Sequence, residues 1–288
     1  MLLQISPVLA AYVIAIAAVI GLVSGSFLNC LAWRIVHGES IMRGRSHCPS
    51  CNHVLASRDL VPLFSWLASK GRCRYCGKRI AIRYPLAELL CSLAFVALVL
   101  RYDASFEAVE LMCFTGILLV LSLTDIDEYL IPNGCIIAAL AVRTVYILLS
   151  GWLYGLDAGA LFLESLIGGV AIVVPLTIIV FIADRVLGRD SMGGGDLKLL
   201  FVAGVYFGWQ QCLFLIIIAC IIGIVAGLVF PHSAIPDSDR PDTAGAPAGE
   251  EVASRMSRPI PFGPAIAVAC WVTMMVGPAF TSWYLGLL

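Results

Sequence analysis

The chain has 288 residues, 60% of them hydrophobic and 13% charged, with a mean hydropathy of +0.96. That balance excludes an ordinary soluble domain. Its apolar runs are continuous rather than alternating, which excludes a membrane β-barrel. The formal net charge of −1 selects no partner, and nothing in the sequence points to a nucleic acid.

Eight apolar segments follow in chain order: 8–31, 85–101, 109–125, 131–150, 159–183, 197–209, 212–230 and 260–286. They predict an all-α polytopic membrane protein of about eight transmembrane helices. No basic residue precedes the first run, so it reads as a span rather than a cleavable signal. The sixth is too short to cross about 30 Å of hydrocarbon as a plain helix; it is expected to tilt or to start inside a cavity. The layout is a first span in 1–31, a loop domain in 32–84, a transmembrane core in 85–230, a flexible linker in 231–259 and a last span in 260–288. The linker assignment rests on its Pro, Ala, Gly, Ser and Asp content, and it receives no catalytic role.

Residues 32–84 hold ten of the eighteen Lys and Arg against two acids, Glu39 and Asp59. The positive-inside bias therefore puts this loop in the cytoplasm. Alternate threading puts 126–130, 184–195 and 231–259 on the same side. The expected outer loops, 102–108 and 151–158, contain no Lys or Arg.

The basic loop carries Cys48-Pro-Ser-Cys51 and Cys73-Arg-Tyr-Cys76. Two C-x-x-C knuckles can bring four thiolates around one Zn²⁺, and a reducing cytoplasm favours metal over disulfides; a redox pair or unligated thiols are the other readings, and His47 or His53 could substitute as a ligand. A closed Cys₄ site is structural, since it leaves no open position for catalysis. The other seven cysteines lie in apolar runs, where Cys behaves as a small hydrophobe.

Two acidic groups border spans on the loop side. Asp125-Ile126-Asp127-Glu128 ends the third span, and Asp196 follows Gly193-Gly194-Gly195. Two carboxylates brought close share a proton and can activate water against a peptide carbonyl, which is aspartyl protease chemistry. The glycines would let a substrate backbone approach and would allow unusual dihedrals. Spacing alone leaves other readings open: Asp196 as an N-cap, Asp125 to Glu128 as a solvated turn, or the acids as a proton relay in a transporter. Lys198 reads either as snorkelling to the interface or as tuning the acids. Glu88, just inside the second span, reads as a buried hydrogen bond or an interfacial residue.

The ordered motifs resemble those of the type IV prepilin peptidases, membrane aspartyl proteases of the GxGD type. They are Gly25-Ser26-Phe27-Leu28-Asn29-Cys30 with Arg34, the two Cys knuckles with their flanks, Ile82-Arg83-Tyr84-Pro85, Asp125-Ile126-Asp127 before Ile131-Pro132-Asn133, Gly193 to Leu200, and Ile260-Pro261-Phe262-Gly263-Pro264. The resemblance covers nearly the whole chain. It implies that Asp125, seven residues before Pro132, and Asp196 are the catalytic dyad. Asp127, Gly193, Gly194, Gly195 and Lys198 then bind substrate or tune the dyad, and Cys48, Cys51, Cys73 and Cys76 hold Zn²⁺.

The implied reaction removes the basic leader of type IV prepilins or type II secretion pseudopilins at the cytoplasmic face of the bacterial inner membrane. N-methylation of the new terminus by S-adenosylmethionine follows, with Gly71-Arg72 standing where the family's methyl-transfer Gly-Lys occurs. Asn133 stands where many members have Asp. A transporter with acids deep in several spans, and a zinc-dependent scaffold without chemistry, are the rival readings.

Overall fold

A computed structural model describes residues 6–41, 44–188, 192–229 and 261–286. The expected 231–259 linker lies outside these. The described residues form helices and turns, with no strand beyond two isolated bridges in the four-cysteine lobe. Seven helices are long and apolar enough to cross a membrane: α1 (Pro7–Val36), α3 (Arg83–Tyr102), α4 (Phe106–Glu128), α5 (Asn133–Tyr154), α6 (Ala158–Leu187), α7 (Gly194–Val229) and α8 (Gly263–Leu285). A short α2 (Phe64–Ala68) lies in the loop between α1 and α3.

Helix ends follow their local chemistry. Ser6, Ser105 and Asp157 cap α1, α4 and α6 through side-chain oxygens that accept backbone N–H groups, as short polar side chains do at N-caps. Tyr129 closes α4 in the left-handed conformation, its N–H bonded to the carbonyl of Asp125. That stop places Asp125 in the last turn.

Eight apolar segments and seven helices are reconciled at Gly208. The sixth and seventh segments run together as α7, but Gly208 has φ 73°, ψ 168°, a region open essentially to glycine alone. A straight helix from Asp196 to Gly223 would be about 40 Å long. Yet Gly223 packs on Phe262, the neighbouring Gly263 N–H bonds Asp125 in the last turn of α4, and Gly195, beside Asp196, packs on Ile131 just past that turn. The chain therefore doubles back, and α7 is two antiparallel limbs, 194–207 and 209–229. The short sixth segment is the first of them.

Close backbone approach holds the limbs in place. A Cβ on Gly204 would fall 2.6 Å from the Gly168 carbonyl oxygen, and one on Gly168 would fall 2.4 Å from that of Gly204. Small residues at such crossings let helices touch where lipid offers no hydrophobic drive. α1 meets α3 in the same way, through Gly21 at Ser92 and Gly25 at Glu88. The core between α4, α7 and α8 is built on Phe114, Leu118, Leu121, Leu199, Val202 and Ile266.

The reversal gives a direct test. Gly208 and Gly155 both have positive φ and open space where a Cβ would stand, so steric contact does not separate them. Gly155 is ordinary left-handed helix (φ 65°, ψ 23°). Gly208→Ala should cost about 1–3 kcal/mol and lower the melting temperature of the detergent-solubilised protein more than Gly155→Ala does. Equal losses would mean that the Gly208 dihedral does not set the turn.

Candidate active site

Asp125 lies in the last turn of α4 and is 5% exposed. Its Oδ2 accepts the N–H of Gly263 at 2.9 Å. A Cβ on Gly263 would stand 2.7 Å from that oxygen, so no larger residue brings its amide to this place. Asp196 lies half-buried in the first turn of α7, as its third residue. That is inside the helix rather than at an N-cap. The two carboxylates come from different helices at one edge of the bundle: Gly195, next to Asp196, packs on Ile131 just beyond the end of α4, where Asp125 lies.

The surrounding charges are largely engaged. Asp127 forms a two-pronged ion pair with Arg83 at the start of α3, with Nη2 donating to Oδ2 at 2.8 Å. Forked pairs of this kind are among the stronger charge-assisted contacts. Lys198 donates to Asn133 Oδ1 at 2.9 Å, tying the first limb of α7 to the start of α5. Glu88 accepts the N–H of Leu63 at 2.7 Å, the buried hydrogen bond expected as one of its two readings.

The three glycines differ. None has positive φ, so the expected unusual dihedrals are not their reason. Gly195 packs on Ile131, where a Cβ would lie 3.0 Å from the nearest side-chain carbon. Among the described residues nothing lies within 4 Å of a Cβ built on Gly194, and beside Gly193 only Asp196 Oδ2 comes near, at 3.4 Å from a built Cβ.

Two side chains with a place in this architecture carry no local sequence signal. Glu110 on α4 is 4% exposed and accepts Arg143 Nη1 from α5 at 3.1 Å. Arg143 also donates to Ser165 on α6 and lies over the Tyr206 ring. Tyr206 stacks on Phe114 at 3.9 Å and donates to the Ala139 carbonyl. This polar knot, beside a cavity of about 120 Å³, anchors the end of the first α7 limb remote from Asp196. Gly263 was visible within a motif, but its role as a donor to Asp125 was not.

The four cysteine sulfurs lie within 4.8 Å of one another, and Cys48 Sγ to Cys76 Sγ is 4.0 Å. Zn–S bonds of about 2.3 Å in a tetrahedron need sulfurs about 3.8 Å apart, so the cluster fits a metal of that kind with small adjustment. Two similar hairpins present it. Cys48 and Cys73 donate their N–H groups to His53 and Lys78, and the bridges His47–Val54 and Arg72–Arg79 close the two turns.

The Cys73 thiol is drawn down to about 7 by the backbone N–H groups of Cys76 and Tyr75. Cys51, despite the pull of the His53 amide, is pushed up to about 11, with the neighbouring Cys48 and Cys76 thiols contributing.

Gly71 and Arg72 serve the second hairpin. Gly71 has φ 66°, and a Cβ there would meet the Trp66 ring at 2.9 Å. Its N–H and C=O bond Trp66 and Ile80. The Cβ side of Gly71 is filled by the Trp66 indole.

Comparison with known proteins places both halves of the chain. Residues 19–102 match the Bacterial Peptidase A24 N-terminal domain, and residues 112–228 match the Type IV leader peptidase family. The chain is similar to the prepilin leader peptidase/N-methyltransferase of Bacillus subtilis (strain 168), with 31% identity covering 94% of this chain and 98% of the relative. Its counterpart from Pseudomonas putida is 30% identical, covering 93% and 92%. That from Aeromonas salmonicida (strain A449) is 31% identical, covering 85% and 76%. No solved structure matches. A multi-pass helical chain with this coverage by curated relatives belongs to the type IV leader peptidase family.

Proposed function

We propose that Asp125 and Asp196 are the acid–base pair with which this family member hydrolyses one peptide bond of a prepilin, where the basic leader meets the apolar membrane segment. The observation that carries the reading is the convergence of two carboxylates from separate helices at one membrane edge. A solvated turn does not bury Asp125, and an N-cap does not occupy the third position of a helix. A transporter relay is disfavoured because Glu110, the deeper acid, is paired with Arg143.

Two close carboxylates hold one proton between them. The ionised member takes a proton from a water as the water oxygen attacks the peptide carbonyl carbon. The protonated member gives its proton to the carbonyl oxygen. When the tetrahedral adduct collapses, a carboxyl proton passes to the leaving nitrogen and the C–N bond breaks. The leader departs with a new carboxyl group and the pilin keeps a new amine. Gly263 holds Asp125 Oδ2, which leaves Oδ1 to face the water. The open side of Gly193 and Gly194 has room for the substrate backbone. A basic leader residue meets the exposed Glu128, or competes with Arg83 for Asp127.

The relatives' names join the peptidase to an N-methyltransferase. The same pairing is assigned to this chain, with S-adenosylmethionine as methyl donor and type II secretion pseudopilins among the substrates. The basic lobe supports a site on the cytoplasmic face of the inner membrane. Cys48, Cys51, Cys73 and Cys76 would hold Zn²⁺, which when bound supplies a structural crosslink and no open coordination position.

Asp125→Asn and Asp196→Asn should each slow leader removal by about 10²–10⁴-fold while the protein still folds, and Asp127→Asn should cost less. Mass spectrometry of a co-expressed prepilin reads leader loss and the methyl shift together; wild-type cleavage by either dyad variant would sink the assignment. Elemental analysis of the purified chain should find about one zinc per polypeptide, lost in Cys73→Ser. Zinc retained in that variant would place the metal elsewhere.

A further inference from the structure

Loop 32–84 reads from sequence as a water-exposed domain, yet one side of it is apolar. Leu60, Val61, Phe64 and Leu67 are exposed close together, Phe64 by 68% and Leu67 by 62%. They lie outside every spanning helix, so lipid is not their neighbour by default. A small lobe in water does not keep such a patch uncovered without cause.

One hydrogen bond sets the depth of this stretch. Leu63 donates its N–H to Glu88, which is buried in α3. α3 has 20 residues, about 30 Å of helix, which only just spans the hydrocarbon layer. It has no length to leave outside. The helix begins at Arg83, so Glu88 lies about 7.5 Å further in. The chain around Leu63 is thus tied to α3 inward of its start, and Ile82 and Leu86 at that start are themselves exposed apolar side chains. Interfacial segments bury their apolar face about 5–10 Å into the headgroup boundary.

The flanking chemistry agrees. Arg58, Lys70 and Arg72 are exposed around the patch, while the nearby acid Asp59 is taken by Arg74 at 3.2 Å and by the Tyr75 hydroxyl at 3.0 Å. Basic residues at this level attract anionic headgroups. Trp66, between Phe64 and Leu67, donates its ring N–H to the Ile80 carbonyl, and tryptophan is enriched at this depth.

We infer that residues 57–72 form a membrane-docking surface: Leu60, Val61, Phe64 and Leu67 enter the leaflet beside α3, and Arg58, Lys70 and Arg72 lie among anionic headgroups. The four-cysteine lobe then rests on the bilayer rather than standing off it, on the same side as Asp125, because Arg83 at the start of α3 grips Asp127.

The test uses the full chain in nanodiscs of phosphatidylcholine, with or without phosphatidylglycerol. A benzophenone side chain replaces Phe64, Leu67 or, as control, Lys78; all three are exposed, so packing is kept. After illumination, mass spectrometry should find acyl-chain adducts at 64 and 67 and none at 78. Arg58→Glu with Lys70→Glu should lower the adduct yield several-fold in the anionic discs. Absence of lipid adducts at 64 and 67, or adducts to protein alone, overturns the proposal. An unchanged yield in the charge-reversed chain overturns the headgroup contact.

Discussion

At Gly208 the backbone takes φ 73°, ψ 168°, and the helix that begins with Gly194 turns back on itself. Three placements follow. The first limb brings Asp196 to the edge where α4 ends. The second limb returns to that edge and packs Gly223 under Phe262. Phe262 leads into Gly263, whose N–H then reaches Asp125. Two acids and their backbone donor, distant in sequence, are brought together by one break that only glycine tolerates. The turn is packed as well as permitted, since Gly168 lies against both Gly204 and Gly208.

Ionised groups in a bilayer are costly unless partnered, and this chain partners them with care. Glu110 has Arg143, Asp127 has Arg83, and Lys198 has Asn133. Each contact joins two helices. The dyad differs. The partner of Asp125 is an uncharged amide, and among the described residues no ion pair joins either carboxylate to a cation. On the proposed assignment a proton shared between the two carboxylates holds them together there, and the neighbouring contacts of Arg83 with Asp127 and Lys198 with Asn133 keep those two cations engaged elsewhere.

Features with a local signature were legible before any coordinates. Apolar runs located the spans, because a crossing must be long and continuously apolar. The C-x-x-C spacing located the four-cysteine cluster, because a knuckle is a few residues of backbone. Ordered motifs pointed to the family. What stayed hidden joins residues far apart. Glu110 and Arg143 each look like a stray charge in an apolar run, and only the packing of α4 on α5 explains them. Gly208 sits where two apolar segments nearly meet, so its dihedral passed for a short loop. Asp127 and Lys198 suggested roles toward the dyad, while their nearest partners, Arg83 and Asn133, belong to other helix starts. The glycine triplet suggested strained backbone, but Gly195 is small because Ile131 is close.

The start of α3 joins the lobe to the dyad through two contacts. Arg83 grips Asp127 in the last turn of α4, and Glu88, somewhat more than a turn later, holds Leu63 of the lobe. Ile80, just before the helix, bonds Gly71 and accepts the Trp66 ring N–H, so the second cysteine hairpin runs almost directly into Arg83. A displacement of that hairpin therefore shifts the residue that fixes the α4 terminus two positions after Asp125. The four-cysteine lobe is thereby coupled mechanically to the end of α4 that carries Asp125. The layout of two matched domains, one ending with α3 and the other beginning within α4, conceals this coupling, because its last link, Arg83 to Asp127, crosses the boundary between them.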